Sequence, residues 1–286
     1  MNKKFSGYTI ISDFDGTIFS HKTMSIPERN ITEKRRFEAL GGVFIMATGR
    51  SVDSPRLLAK QLEVKTPSIH HNGASIYDYS QEKYIAASPI LRSEVAEFFA
   101  ELMQWYPDVG LEVSCVGQHF LLAPGEIAYQ HASQEFDYEK SDIAGTPPEW
   151  LKGLVSGHPD KVEAVFRFGL EKAPKTIRTV KSSEWFCEFI SADVDKFSAA
   201  KKVMEMMGQP LEKSCGIGDF FNDYELFTQT AIGAVPASAP DEVKNLAPLI
   251  VCSCEDGALA DFILHIEGLI DRISSNSECG NRNQKL

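Results

Sequence analysis

No stretch of this sequence is apolar for long enough to cross a bilayer, which takes about 20 residues, so no membrane partner is expected. Positive charge is in deficit. The 29 Lys and Arg stand against 40 Asp and Glu, a formal net charge of −11. Such a surface repels nucleic acid and anionic lipid, and neither is expected as a partner. Cysteine is sparse and unpatterned: Cys115, Cys187, Cys215, Cys252, Cys254 and Cys279 are scattered, and Cys252-Ser253-Cys254 lacks the two-residue gap of a metal knuckle or redox motif. Idle thiols in a reducing cytoplasm are expected rather than a zinc site. There is no repeat of solenoid period and no low-complexity block within 1–272. The basic Met1-Asn2-Lys3-Lys4 is not expected to open a signal peptide, because Phe5-Ser6-Gly7-Tyr8 begins no adequate apolar run and Asp13 and Asp15 interrupt the next.

What is present is a chain of 286 residues, 43% hydrophobic, which suits two globular domains. Its first 80 residues alternate strand and helix patterns. Tyr8–Ser12 is a β-branched run ending at Asp13, and Ile31–Leu40 reads as a helix closed by Gly41-Gly42. Val43–Ala47 reads as a buried strand and Ser51–Leu62 as a helix with Pro55 in its first turns. The rhythm returns late, with a helix over Lys196–Met207 and strands over Ser214–Gly218, Ala231–Val235 and Pro248–Ser253. A final helix carries Leu259, Phe262, Ile263, Ile266 and Ile270 on one stripe. Between them, Gln118–Leu122 and Val162–Phe168 look strand-like amid Pro-, Gly- and acid-rich loops. The pattern predicts an α/β protein: a Rossmann-like parallel-sheet core, discontinuous over 1–84 and 187–272, an inserted α+β cap domain over 85–186, and a flexible tail over 273–286.

The strongest local signal is Ser12-Asp13-Phe14-Asp15-Gly16-Thr17. Two carboxylates at i and i+2 leave an apolar strand where it ends, and ligands of open α/β sheets bind beyond such ends. That pair suits phosphoryl transfer, one carboxylate attacking phosphorus and the other moving protons. The second signal is Gly216-Ile217-Gly218-Asp219-Phe220-Phe221-Asn222-Asp223, where another apolar strand ends in acid and two carboxylates four apart can reach one hard cation such as Mg2+. Because the surface is acidic, a phosphate site must be made positive locally, by a metal, a lysine and backbone N–H groups. Bland readings exist for each: aspartates at strand ends shape turns, Asp223 caps a helix near Tyr224, Thr48 caps a helix, and Lys196 alone is a surface lysine.

Taken in order, Asp13-Phe14-Asp15-Gly16-Thr17, Thr48 within Ala47-Thr48-Gly49-Arg50, Lys196, and Gly218-Asp219-x-x-Asn222-Asp223 resemble the four motifs of the haloacid dehalogenase-like superfamily. His71-Asn72-Gly73-Ala74, Asp195–Ala200, Ala239–Lys244 and Glu255-Asp256-Gly257 resemble its Cof-type subfamily, with a large cap between the second and third motifs. The resemblance covers about 1–80 and 187–270, and in the cap it rests on position and length. It implies Mg2+ as cofactor and a small phosphorylated metabolite as substrate, a sugar phosphate foremost. Asp13 would be nucleophile and metal ligand, and Asp15 the acid/base with its backbone carbonyl on the metal. Thr48 would bond the transferring phosphoryl oxygens and Lys196 would neutralise them. Asp219 would ligate the metal, Asp223 would act on it through water or its neighbours, and Asn222 would help position the phosphate. Gly49, Arg50, Asn72 and Gly73 complete the expected substrate-binding set.

Phe197 and Phe220 stand where the family usually has glycine and a small residue, and the pair Phe220-Phe221 is expected to narrow the site mouth. Arg56, Lys161, Arg167, His119 and His131 are softer candidates for specificity. His70-His71 is not expected to bind a transition metal, since adjacent strand residues point to opposite faces. The expected protein is cytoplasmic, a monomer or small homo-oligomer. Its rivals are a phosphomutase or phosphotransferase using the same aspartyl-phosphate, and a non-catalytic phosphoacceptor or sensor.

Overall fold

Apolar β-branched runs that stop at Asp, Gly or Pro form the strands, and stripes of 3.6 period form the helices. In a computed structural model, which describes residues 3–135 and 137–282, the chain begins β1 (Thr9–Asp13), α1 (Glu28–Ala39), β2 (Val43–Ala47), α2 (Arg56–Gln61), β3 (Ser68–His70), β4 (Ser75–Asp78) and β5 (Lys83–Ala87). It continues β6 (Ile90–Leu91), α3 (Arg92–Trp105), β7 (Gly110–Cys115), β8 (Gln118–Ala123), α4 (Glu126–Glu135), β9 (Glu139–Lys140), β10 (Glu149–Trp150), β11 (Lys152–Ser156), α5 (Pro159–Lys172), β12 (Ile177–Lys181) and β13 (Phe186–Ser191). It ends α6 (Lys196–Met206), β14 (Ser214–Ile217), α7 (Tyr224–Gln229), β15 (Ile232–Pro236), α8 (Asp241–Lys244), β16 (Ile250–Val251) and α9 (Ala258–Arg282). By packing, these residues fall into two units: Met1–Phe44, Gly208–Asp219 and Leu226–Leu286, and then Ile45–Met207 with Phe220–Glu225.

The first unit is built on parallel strands in the order β16-β15-β14-β1. Every residue of β1 and β14 is buried, which is why both read as continuous runs rather than alternating ones. Helices α1 and α9 pack together. Phe5, Phe37, Phe44, Phe262, Ile263 and Ile266 fill the core beside the strands. Asn30, fully buried on α1, joins the two helices: its amide donates to Ile18 O at 3.3 Å and its Oδ1 accepts from Ala260 N at 3.0 Å. Arg36 grips Glu267 with two bonds of 2.7 and 3.1 Å, and Lys4 adds a third at 3.0 Å.

The second unit holds the C-terminal part of β2, which pairs in parallel with β3, followed by the antiparallel β3-β4-β5. It also holds a sheet of order β12-β13-β11-β7-β8-β9, antiparallel except between β8 and β9. Phe98, Phe99 and Leu102 of α3 and Val162 and Val165 of α5 cover this sheet with Trp150, Val155 and Phe189. The indole of Trp150, fully buried, donates to Thr146 Oγ1 at 2.9 Å. A smaller apolar group, Ala74, Leu151, Val180, Ile190 and Val194, lies elsewhere in the same unit.

The parallel sheet is as expected, and three local expectations are corrected. Val162–Phe168 is not a strand but the middle of helix α5. Pro159 starts that helix, where its missing N–H costs nothing, and the buried Val162, Val165 and Gly169 recur at helical spacing. The helix expected from Ser51 starts only at Arg56, because Pro55 takes the N-cap position and the preceding residues turn, Tyr79 Oη donating to Val52 O at 2.9 Å. Helix α9 runs on to Arg282, through most of the stretch read as a tail; residues 283–286 lie outside the described residues.

Arg36 first, and Lys4 after it, hold the Glu267 carboxyl down at about 2, from 4.5. A carboxyl depressed on folding stabilises the fold above its unfolded value and loses that contribution as pH falls through the folded one. Glu267→Gln is therefore expected to lower Tm by a few degrees at neutral pH, at about 2–4 °C per kcal/mol lost. In thermal melts the difference from wild type should shrink as pH is lowered through 4.5 towards about 2.

Candidate active site

In the first unit, Ser12 pairs with Ile217 across β1 and β14, so both strands run out at the same edge and deliver Asp13, Asp15 and Asp219 there. Asp13 is buried, at 4% exposure. Beyond it the chain turns tightly: Phe14 O accepts from Ile18 N and Phe19 N at 2.9 and 2.8 Å, and Gly16 N donates to Phe19 O at 2.9 Å. Gly16 has φ of 73°, and a Cβ on it would collide with the Asp219 carboxylate. Glycine is thus required twice, for its backbone angle and for the close approach. Next comes a short hairpin in which Ser20 and Ser25 pair, and from it His21 Nε2 reaches Asp15 Oδ1 at 2.9 Å.

Burial pushes the Cys254 thiol up to about 12, with Glu255, Asp219, Asp13 and Asp15 adding to it. This edge of the first unit is strongly negative and rich in hard oxygen donors. Asp13 and Asp219, which offer carboxylate oxygens within 4.8 Å of one another, therefore suit a hard divalent cation such as Mg2+.

In the second unit, β2 ends before Thr48. With α2 starting at Arg56, Thr48 caps no helix; its Oγ1 accepts from Arg50 N at 3.1 Å, its N–H donates to Ile69 O at 2.9 Å, and its carbonyl accepts from Asn72 N at 3.1 Å. The loop Thr48-Gly49-Arg50 is thereby tied to His71-Asn72-Gly73, whose φ angles of 52°, 53° and 105° are all left-handed. Such strain persists only where surroundings over-determine it. Here a Cβ on Gly73 would run into the Asp195 carbonyl, so the loop lies hard against the start of α6. Asp195 caps that helix, its Oδ1 accepting from Ser198 N at 2.7 Å, while Phe197 is buried without disturbing the start. Lys196 is consequently no surface lysine: it is 1% exposed and donates to Asp223 Oδ1 at 2.6 Å. Asp223 Oδ2 accepts from Phe220 N at 3.3 Å. Phe220 and Phe221 meet edge to face at 5.3 Å, Phe221 being exposed.

A second buried network adjoins these residues. Lys152 Nζ donates to Gly49 O at 2.8 Å and pairs with Glu188 at 3.2 Å. Asn72 Nδ2 donates to Glu188 Oε2 at 2.8 Å, and Asn222 Nδ2 donates to Asn72 Oδ1 at 3.0 Å. The structure thus gathers Asp13, Asp15 and Asp219 in one unit, and Thr48, Gly49, Arg50, Asn72, Gly73, Lys196, Asn222 and Asp223 in the other.

The sequence matches the haloacid dehalogenase-like hydrolase family over residues 10–263. The chain belongs to the haloacid dehalogenase-like hydrolases. Its relatives include the 5-amino-6-(5-phospho-D-ribitylamino)uracil phosphatase YcsE of Bacillus subtilis, 24% identical over 256 residues, 90% of this chain and 94% of that one. The pyridoxal phosphate phosphatase YbhA of Escherichia coli is 23% identical over 273 residues, 89% and 96% of the two chains. Among solved structures, a haloacid dehalogenase-like hydrolase from Bacteroides thetaiotaomicron shares the fold with a TM-score of 0.76 at 20% identity, over 91% of this chain and 99% of that one. The subclass IIB sugar phosphatase BT4131 shares it at 0.78 and 19%, over 91% and 98%. Family and relatives together make this haloacid dehalogenase-like chain a phosphatase.

The softer candidates scatter. Arg50 donates to Ser54 Oγ at 2.9 Å, and Arg56 lies over the rings of Tyr77 and Tyr79. Lys161 and Arg167 are exposed on α5, Arg167 pairing with Glu163 at 3.0 Å. His119 is buried, which lowers its pKa to about 4, and His131 pairs with Glu112 at 2.9 Å. His70 and His71 turn to different partners, Ser68 and Ser75, and burial lowers the pKa of both. Sequence reasoning missed His21, Lys152 and Glu188. A signal existed for the last two, each being a lone charge inside an apolar strand, Leu151-Lys152-Gly153-Leu154-Val155 and Cys187-Glu188-Phe189.

With side chains only 8% and 5% exposed, Lys152 and Glu188 depend on one another. Glu188→Leu strands a buried ammonium and is expected to cost about 3–5 kcal/mol in chemical denaturation. Adding Lys152→Met should recover most of that loss. A double variant no more stable than the single one would mean the pair is not coupled.

Proposed function

We propose that this protein is a Mg2+-dependent phosphatase of small phosphomonoesters, with sugar phosphates the leading class, acting through an aspartyl-phosphate on Asp13. The observation that carries the reading is the pair of carboxylates, Asp13 and Asp15, leaving one parallel strand beside Asp219 in a chain of this hydrolase family. The relatives act on a phosphorylated ribitylamino-uracil and on pyridoxal phosphate, and a structural neighbour is a sugar phosphatase; all are small phosphate monoesters. The core over 1–84 and 187–272 would carry the chemistry and a cap over 85–186 would choose the ester. Free thiols at Cys115, Cys187, Cys215, Cys252 and Cys254 accord with a reducing cytoplasm.

Asp13 attacks phosphorus; as its bond forms, the ester P–O bond breaks, and the departing oxygen takes the bonding pair with a proton from Asp15. Asp15, now a carboxylate, next accepts a proton from the water that attacks the aspartyl-phosphate, releasing inorganic phosphate and restoring Asp13. Thr48, Lys196 and Asn222 bind the phosphoryl oxygens, and Asp223, paired with Lys196, fixes where that ammonium sits. Gly49, Arg50, Asn72 and Gly73 shape the loop against the substrate. Asp13, the Asp15 carbonyl, Asp219 and Asp223 would hold Mg2+, which neutralises phosphate charge. No described helix is long and apolar enough to cross a membrane.

Phosphate release from a panel of phosphorylated sugars, nucleotides and vitamins should require Mg2+ and stop with EDTA. Asp13→Asn should abolish release, and Asp15→Asn should cut kcat by roughly 10²–10⁴-fold with substrate binding kept. Release that persists in Asp13→Asn would sink the mechanism. Transfer to a sugar hydroxyl without free phosphate would make the protein a phosphotransferase instead.

A further inference from the structure

Asp15 has to present a proton to a leaving oxygen, yet a carboxyl on a two-fold, broad torsion has no preferred aim of its own. The chain beyond it supplies one. After the tight turn, Phe19 forms a bridge with Asp15 and stacks on the buried Phe14 at 5.7 Å. The hairpin that follows is closed by Ser20 N to Ser25 O at 3.0 Å and anchored where Ser20 Oγ donates to Glu255 Oε1 at 3.2 Å. His21 stands on that hairpin with its ring edge-on to Phe19 at 5.3 Å, and its Nε2 meets Asp15 Oδ1 at 2.9 Å. The imidazole is therefore placed by its neighbours on the hairpin and the Phe19 ring, and not by the carboxylate alone.

We propose that His21 is the positioning residue for Asp15: by donating Nε2–H to Oδ1 it turns the carboxyl so that Oδ2 carries the proton delivered to the leaving group. The proposal rests on the phosphatase reading above and adds a residue outside its motifs. The donor is available in the Nε2–H tautomer and in the imidazolium alike. Stability is not what the contact provides. His21 is 59% exposed and Asp15 29% exposed, and pairs at such sites contribute little to stability. What remains to it is geometry.

The test compares kcat/KM for aryl and alkyl phosphates, with Mg2+ present, in wild type, His21→Ala and His21→Gln. This parameter reports the step in which the P–O bond breaks, where a poor leaving group needs the proton and p-nitrophenolate does not. His21→Ala is expected to lose about tenfold or more on alkyl phosphates and less than about threefold on p-nitrophenyl phosphate. Its Tm should match wild type, and His21→Gln, which keeps an N–H donor, should recover part of the alkyl rate. Equal losses on both classes, or no loss on either while wild type turns over, would overturn the role of His21. A wild type that releases phosphate from neither class would instead remove the phosphatase reading, and this inference with it.

Discussion

Parallel pairing of β1 with β14 is the constraint on which the first unit's chemistry rests. It takes two segments far apart in the chain and ends them at one edge, so that Asp13, Asp15 and Asp219 all stand at that edge. Carboxylates brought together this way repel one another, and the arrangement asks for a cation or for protons. The turn at Gly16 tightens it further, since only a residue without Cβ lets the backbone lie against the Asp219 carboxylate. The hairpin bearing His21 then follows from where that turn must exit.

The second unit solves the opposite problem, that of burying cations. Lys152 and Lys196 are almost wholly removed from water, and each is matched by a carboxylate, Glu188 and Asp223. Buried pairs are weak sources of net stability, but breaking one is costly, so they hold geometry firmly. That firmness is what the loop His71-Asn72-Gly73 requires. Its three left-handed residues are locked between the Asp195 carbonyl, the Glu188 carboxylate and the Thr48 carbonyl. A loop so fixed is pre-organised before any ligand arrives.

Much of this was legible in the residues. Strand ends at Asp13 and after Ile217 follow from short buried apolar runs, and the order of the four motifs alone resembles that of the family. The bland readings of Thr48 and Lys196 fall only with the fold, because α2 starts late and α6 turns its first residue inward. Val162–Phe168 misled because a short apolar run has no period of its own; Pro159 and the spacing of Val162, Val165 and Gly169 were the better guide.

By itself the sequence determined what is local: which segments are apolar, where glycine and proline break them, and which acids stand at strand ends. These depend on neighbours a few residues away. Only the tertiary structure decided that Glu188 faces Lys152 and Asn72, that Asp223 receives Lys196, and that His21 folds back on Asp15. Across distant segments, partnership is set by sheet register and by where a turn sends the chain, and no periodicity in a single sequence encodes either one.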